Sequence, residues 1–304
     1  MMTITLAICI ALALDAWLGE PRRFHPLVGF GHLTRIIEQH LYLDSTVRGL
    51  LALLLLLIPF TLLVTWIHRL PGHFIIDVLI LYLAIGWHSL SIHAKRVQNA
   101  LLADDLNAAR HQVSLILSRD TTTLDHTAIT QGTIESVLEN GNDAIFGVLF
   151  WFAVAGAPGA LIYRLVNTLD AMWGYRNTRY RHFGWAAARF DDLLNLIPAR
   201  LTALSYALTG EIRSAFICWQ AQGATWKSPN AGPVMAAGAG SLEISLGGPA
   251  YYHGALEFRP MLGTGRIPEP GDIDRALGLI KRSLLLWLFV LCIGEWLVKF
   301  IITA

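Results

Sequence analysis

The chain has 304 residues, 54% of them hydrophobic and 15% charged. A soluble domain carries about 25% charged residues, so this chain lacks a soluble protein's ionic surface; disorder, a collagen-like repeat and a small disulfide scaffold are excluded as well. Its 23 Lys and Arg balance 22 Asp and Glu, which removes any general pull toward nucleic acid, and Cys9, Cys218 and Cys292 each lie in an apolar stretch, as packing thiols do.

In chain order, Met1–Leu18 is the first apolar segment. No Lys or Arg precedes its apolar run, so it reads as a retained helix and not as a cleaved signal peptide. Gly49–Ile67, Phe74–Leu90 and Ser283–Ala304 approach or meet the ~17–25 residues that a membrane-spanning helix needs. Between them, Ser91–Ala103 and Leu106–Ser118 place Val97, Leu101, Leu106, Ala109 and Val113 at helical spacing about an Asp104-Asp105 break, which predicts an amphipathic helical hairpin. A further helix is expected over Thr123–Asn140, started by Thr121-Thr122-Thr123.

Ala144–Val166 is long enough to cross a membrane but holds Gly156-Ala157-Pro158-Gly159 in its middle, and Leu201–Trp219 is interrupted by Gly210, Glu211 and Arg213. Residues 228–273, rich in Gly and Pro, read as a loop wrapped over a site. Positive charge sets the expected orientation. Arg22, Arg23, Arg35 and Arg48 in 19–48, and Lys95, Arg96, Arg110 and Arg119 in 91–143, contrast with Arg69 alone in 68–73, which puts the first two regions in the cytoplasm. A crossing by Ala144–Val166 would export Arg176, Arg179, Arg181 and Arg189, whereas a re-entrant hairpin turning at the Gly-Ala-Pro-Gly sequence keeps them inside. The expectation is an all-α polytopic integral membrane protein with four to six apolar helices, a cytoplasmic helical hairpin and a Gly/Pro-rich loop region. It forms a single domain over 1–304, with a cytoplasmic insert at 91–143 and a largely cytoplasmic ligand-binding region at 167–283.

In a chain this poor in charge, the charged residues carry the functional information. One cluster runs Arg119-Asp120, Glu135, Glu139, Asn140, Asn142 and Asp143. Glu135 and Glu139 share a helix face, and like charges at that spacing destabilise a helix unless a cation or an Arg compensates. The alternative is a solvated acidic face, which the apolar residues from Ala144 onward weaken. A second cluster holds Asn167, Asp170, Arg176, Arg189, Asp191, Asp192, Asn195 and Arg200, in an Arg-rich stretch suited to phosphate and carboxylate. A third is Ser228-Pro229-Asn230-Ala231-Gly232, a turn able to clamp a ligand and equally legal as a surface turn. No P-loop, H-E-x-x-H or G-x-S-x-G sequence occurs. The residues alone imply a membrane protein with a pocket of carboxylates, Arg and Asn that handles a phosphorylated amphipathic substrate.

These residues also carry a resemblance. Leu18-Gly19-Glu20-Pro21 with His25-Pro26, Arg119-Asp120-Thr121, Glu135-Ser136-Val137-Leu138-Glu139-Asn140, Asn167-Thr168-Leu169-Asp170, Phe183-Gly184-Trp185, Asp191-Asp192 and Ser228-Pro229-Asn230-Ala231-Gly232 stand in one order over about 11–270. In this the chain resembles the CobD/CbiB family of cobalamin biosynthesis proteins, the adenosylcobinamide-phosphate synthases. Glu20 stands where the family often has Asp. The resemblance implies an ATP-dependent ligase in the bacterial inner membrane, its site facing the cytoplasm, that joins adenosylcobyric acid to aminopropanol or its O-phosphate.

Such chemistry needs ATP to activate a carboxylate, as acyl phosphate or adenylate, with Mg²⁺ and cations about the phosphoryl group and a base for the amine. On this reading Glu139, Asp143, Asp191 and Asp192 hold Mg²⁺, Glu135 is the base, and Arg119, Arg176, Arg189 and Arg200 hold phosphate or the corrinoid acid. Asp120, Asn140, Asn167, Asp170, Asn195, Ser228 and Asn230 bind or orient substrate or nucleotide. Asp15 and Arg164, both costly in lipid, are expected to pair. Membrane lipid is a partner, nucleic acid is not, and a homo-oligomer or another enzyme of the same pathway is compatible with the sequence. The competing reading is a non-catalytic membrane sensor like the AmpE proteins; a transporter would predict repeats, which the sequence does not contain.

Overall fold

The protein is described by a computed structural model covering residues 3–21, 25–175, 177–252 and 255–303. Arg22, Arg23 and Arg176 lie outside the described residues. The chain is a succession of helices with two short two-stranded β-ladders, and it divides into two compact units. The first comprises residues 1–87, 143–195 and 294–304; the second comprises 88–142 and 196–293.

In the first unit, α1 (Thr3–Leu18), α2 (Pro26–Leu41), α3 (Thr46–His68) and α4 (Phe74–Ala84) lead to α8 (Gly147–Trp173), the short α9 (Tyr180–Phe183) and the start of α10 (Trp185–Thr209). Outward-facing residues of α3 such as Leu51, Leu55, Ile58, Leu62 and Trp66 are exposed, while Ala52, Leu53 and Leu56 face the interior. A bare apolar surface of this extent belongs in lipid. Phe74–Leu90 does not form one helix. α4 stops at Ala84, and α5 (Trp87–Leu102) restarts after Ile85-Gly86, where the Gly86 N–H donates to the Ala144 carbonyl (3.0 Å). The small Gly86 permits that approach, since a Cβ there would lie 3.3 Å from the Ala144 side chain.

The decisive element is α8. Its helix is broken at Ala155 and Gly156, the latter at φ 64°, a left-handed conformation that costs glycine little. A Cβ on Gly159 would overlap the Trp151 carbonyl, and one on Gly147 would overlap the Tyr163 hydroxyl. In a straight helix residues 147 and 163 would stand about 24 Å apart. The chain therefore reverses at 155–156 into two antiparallel arms, the hairpin expected at Gly156-Ala157-Pro158-Gly159, with its turn starting one residue earlier.

In the second unit, α5 and α6 (Leu106–Ser114) form the amphipathic hairpin, with Asp105 capping α6 through the Ala108 N–H (2.9 Å). α7 (His126–Gly141) starts later than the Thr run suggested. Its cap is Asp125, which accepts from the Ala128 N–H (2.8 Å), because a carboxylate caps better than a β-branched hydroxyl flanked by its own kind. Leu201–Trp219 is broken at Gly210-Glu211 between α10 and α11 (Ile212–Gln222).

Residues 228–273 correct the loop expectation. Ala231–Leu242 is a fully buried helix, α12, followed by β1 (Ser245–Gly247) paired with β4 (Met261–Gly263) and β2 (Ala250–Tyr252) paired with β3 (Ala255–Glu257), both antiparallel. The glycines that suggested a loop serve close helix packing instead. A Cβ on Gly240 would lie 2.8 Å from the Ala215 backbone, and one on Gly238 would lie 2.8 Å from Leu138. α13 (Gly271–Thr303) completes the chain.

Among the described residues, four segments are long and apolar enough to cross a membrane by length and composition: Thr46–His68, Phe74–Leu102 and His126–Trp173 with the interruptions just described, and Gly271–Ile302, with Ile4–Leu18 a shorter apolar helix. The protein is an all-α polytopic membrane protein.

Candidate functional site

The reversal in α8 assembles the first unit's polar cluster. Continuing outward from the facing pairs 151/159 and 147/163, the arms run toward residue 143 on one side and toward Arg164 and Asn167 on the other. Asp143 lies in a π-helical turn (Asn142–Phe146), a widening that often marks functional positions in helices. The charge of Asp143 is felt at Tyr163, at Arg164 and at Asp191. Two charged clusters separated by an apolar segment in sequence are thus partly one cluster in space.

At its centre is Asp191 of α10. Its Oδ1 accepts from the Asn167 Nδ2 (3.4 Å) and its Oδ2 from the Asn195 Nδ2 (3.0 Å). Arg164 donates in turn to the Asn167 Oδ1 (3.3 Å), and the Tyr163 hydroxyl donates to the Asn195 Oδ1 (2.8 Å). Each amide therefore has its acceptor oxygen and one N–H committed, which orients it and leaves Asp191 bonded to neutral donors. Burial, then the charge of Asp143, push the Asp191 carboxyl up to about 7. Asp170 lies near Asp191 and Asp192 and closes the acidic group. Gly174 makes room for it, since a Cβ there would overlap the Asp170 carboxylate.

Arg164 faces the acids Glu20 and Asp143, and Asp15 acts together with Glu20 on Tyr82. The Arg164 Nε is buried without a hydrogen-bond partner among the described residues. His25 is a helix cap, its Nδ1 accepting from the Leu27 N–H (3.2 Å) ahead of Pro26.

Beside this network opens a cleft of about 420 Å³ lined by Tyr175, Tyr180, Arg181, Trp185, Arg189 and Asp192 among others. Arg189 stands 3.5 Å from Asp192. Arg179 is held toward Glu38 instead: that buried acid accepts from its Nε (3.1 Å) and its Nη2 (2.8 Å), and from the Trp173 N–H and the Tyr180 hydroxyl. Of the four expected metal ligands, Asp143, Asp191 and Asp192 belong to the first unit and Glu139 to the second.

The second unit holds its own constellation. Glu135, 6% exposed, accepts from the Gly247 N–H (2.8 Å) and from two nitrogens of Arg259 (2.7 and 3.2 Å), with Arg119 at 4.0 Å. Arg119 is buried, its Nε without a hydrogen-bond partner among the described residues. Arg200 donates to the Asn230 side chain and to the Pro229 carbonyl (3.0 Å), while the Ser228 hydroxyl oxygen accepts from the Asn230 and Ala231 N–H groups (3.3 and 3.1 Å). Arg200, Ser228 and Asn230 are thus brought together at the start of α12.

Asn140 bonds back to Ser136 within α7, and Asn142 accepts from the Thr202 hydroxyl (3.0 Å). Asp120 is exposed and makes a turn, its carboxyl held below the usual range by the Thr122 N–H and hydroxyl. Arg259 and Tyr163 were not singled out in the sequence. Arg259 fell in the supposed loop, where its rarity in a charge-poor chain was the available signal, and Tyr163 read as one more aromatic in an apolar run.

The Gly147–Tyr163 contact is testable. Gly147→Ala should lower the thermal unfolding midpoint in detergent, at a cost of about 1–3 kcal/mol, because Tyr163 is pinned by Asn195 and has no room to yield. An unchanged midpoint would mean that the arms are not locked by this contact.

Comparison with known proteins follows this geometry. A family model described as "CobD/Cbib protein" matches residues 8–280. The chain is 55% identical to "Cobalamin biosynthesis protein CobD" of Chromobacterium violaceum over 296 residues, 94% of this chain and 95% of the relative. It is 52% identical to the protein of that name from Stutzerimonas stutzeri (97% of this chain, 99% of the relative) and 39% identical to that of Mycobacterium tuberculosis (92% of each). No solved structure matches.

Proposed function

The chain belongs to the CobD/CbiB family of cobalamin biosynthesis proteins, and from that premise we propose that it is the ATP-dependent ligase that joins adenosylcobyric acid to 1-aminopropan-2-ol or its O-phosphate. The reaction takes place at the inner membrane, on the cytoplasmic side. The observation that carries the reading is the buried acid–amide network about Asp191: such a network has no structural need of its own, and it suits the binding of a cation and a phosphoryl group.

The donor set fits a hard divalent ion. Asp143, Asp191 and Asp192 offer carboxylate oxygens, and Mg²⁺ commonly binds through one or two carboxylates with water and phosphate completing its shell. Bound there, Mg²⁺ would supply charge neutralisation to the transferring phosphoryl group. The chain's own residues do the remaining work. Arg189 and Arg181 line the cleft where phosphates would lie, and Tyr175, Tyr180 and Trp185 offer flat faces to a purine or a corrin edge.

In the second unit, Arg119 has a buried N–H that no described residue engages and that suits an anionic substrate group, and the Arg200–Asn230 brace holds the Ser228-Pro229-Asn230 turn in one shape. Two guanidiniums and a backbone N–H already engage Glu135, which suits it to positioning. The proton of the incoming amine passes instead to an acid of the first unit's cluster, for which Asp170 beside Asp191 and Asp192 is our assignment.

The sign of a pH effect follows from Asp191. Its folded-state carboxyl, raised from 3.8 to about 7, keeps a proton that the unfolded chain has lost. Its stabilising contribution is therefore complete below about 3.8 and disappears as pH rises through about 7. A cation must displace that proton, so Mg²⁺ affinity should rise by about tenfold per pH unit below 7 and level off above it. Calorimetric titration with MgCl₂ between pH 5.5 and 8.5 (about three decades of proton activity) checks this, and a flat profile would remove Asp191 from the ligand set.

The activity test supplies the purified protein in nanodiscs with adenosylcobyric acid, aminopropanol phosphate and Mg-ATP, and reads the amide by mass spectrometry and the nucleotide as ADP or AMP. Amide formation dependent on ATP supports the reading. A folded protein that binds corrinoid yet makes no amide would favour the sensor.

A further inference from the structure

His68, His73 and Asp77 belong to none of the chemistry above. His68 ends α3, Asp77 lies in the first turn of α4, and His73 is on the link between them. Asp77 is buried, and among the described residues its charged partners are these two imidazoles alone. The His68 Nδ1 is 2.9 Å and the His73 Nδ1 2.7 Å from the same oxygen, Asp77 Oδ2. One ligand atom from each of the three lies within 4.8 Å of the others. A buried carboxylate without a permanent cation is costly, so its compensation must come from protonated imidazoles or from a metal ion.

We infer that His68, His73 and Asp77 form a binding site for a divalent transition ion of the zinc class. Two imidazole nitrogens and a carboxylate oxygen are a zinc-type donor set, which needs only a water to complete a tetrahedron. Access is present, because the two histidine side chains are 36% and 41% exposed while the carboxylate beneath them is covered. The turn of the α8 hairpin also packs against the ring of His68: a Cβ on Gly156 would lie 3.0 Å from its Cε1 and 3.2 Å from its Nε2. The ring is thereby held with its Nδ1 toward Asp77, on the side where the three donor atoms converge. The ion would lock the α3–α4 link under the hairpin turn, and so steady the arm that carries Tyr163, Arg164 and Asn167.

The test uses the full-length protein in detergent, stripped with chelator and titrated with ZnCl₂ by calorimetry, with CoCl₂ as an optical probe. One Zn²⁺ per chain is expected, with Co²⁺ giving the visible bands of a tetrahedral site. His73→Gln and Asp77→Asn should each weaken binding by more than about tenfold, the loss already typical of a group that merely supports a ligand. Zn²⁺ should also slow amide hydrogen exchange across residues 153–158 in the wild type and not in His73→Gln. Equal Zn²⁺ stoichiometry and affinity in the wild type and both variants would overturn the proposal, as would no binding by a wild type whose thermal transition shows it folded. Because the readouts are binding and exchange, they stand or fall independently of the ligase activity.

Discussion

Asp191→Asn is expected to lower ATP-dependent amide formation by about 10²–10³-fold, the scale of losing one preorganised electrostatic group at a phosphoryl-transfer centre. The substitution is nearly isosteric, and the new carbonyl can still accept from Asn195, so the cost to the fold is confined to the longer 3.4 Å contact with the Asn167 N–H, which the new amide cannot accept. It even removes a liability. With its proton affinity raised to about 7, the native carboxylate is a destabilising charge above neutrality, and the variant should unfold at the same or a higher temperature at pH 8. Low turnover with undiminished stability is therefore the expected pair of results. Full turnover would remove Asp191 from the chemistry, and low turnover with a collapsed midpoint would make it a structural residue.

Arg259→Ala should have the largest effect on stability, about 3–5 kcal/mol, because it leaves Glu135 as a buried charge with a single guanidinium 4.0 Å away. The penalty belongs to the stranded carboxylate and not to the lost arginine as such. Adding Glu135→Gln, which can still accept from the Gly247 N–H, should therefore recover most of the loss. Thermal unfolding of the wild type, both single variants and the double variant closes the cycle. Additive losses would show that Arg259 and Glu135 act separately, and an unaffected Arg259→Ala would show that Arg119 alone satisfies the acid.

Much of the molecule was legible in its sequence because the signals are local. Runs such as Gly49–Ile67 have the length and composition of lipid-crossing helices, and Asp104-Asp105 breaks and caps a helix through its own carboxylate. The loop reading of 228–273 failed over 231–242 for a definable reason. Gly and Ala in Ala231–Leu242 are poor in side chain, and composition cannot distinguish a flexible stretch from a helix thinned so that α7 and α11 may approach it. The helix start after Asp125 was hidden among three threonines and an aspartate, each a possible cap.

The candidate site shows where that legibility ends. Sequence by itself determined which residues are chemically costly in an apolar chain: Glu135, Asp143, Asn167, Asp170, Asp191 and Asn195 all stand out, and their order carries the family. It could not determine which of them meet, because helix periodicity is local and says nothing of pairing across a turn. The tertiary structure decided that through the left-handed Gly156, the reversal it permits and the fit of Tyr163 against Gly147, which together bring the charge of Asp143 to bear on Tyr163, Arg164 and Asp191. It also decided that Glu135 is bound by Arg259, a partner 124 residues away. The physical reason is the same in both cases: the free energy of a buried charge depends on its partner, and a partner is chosen by packing between distant segments.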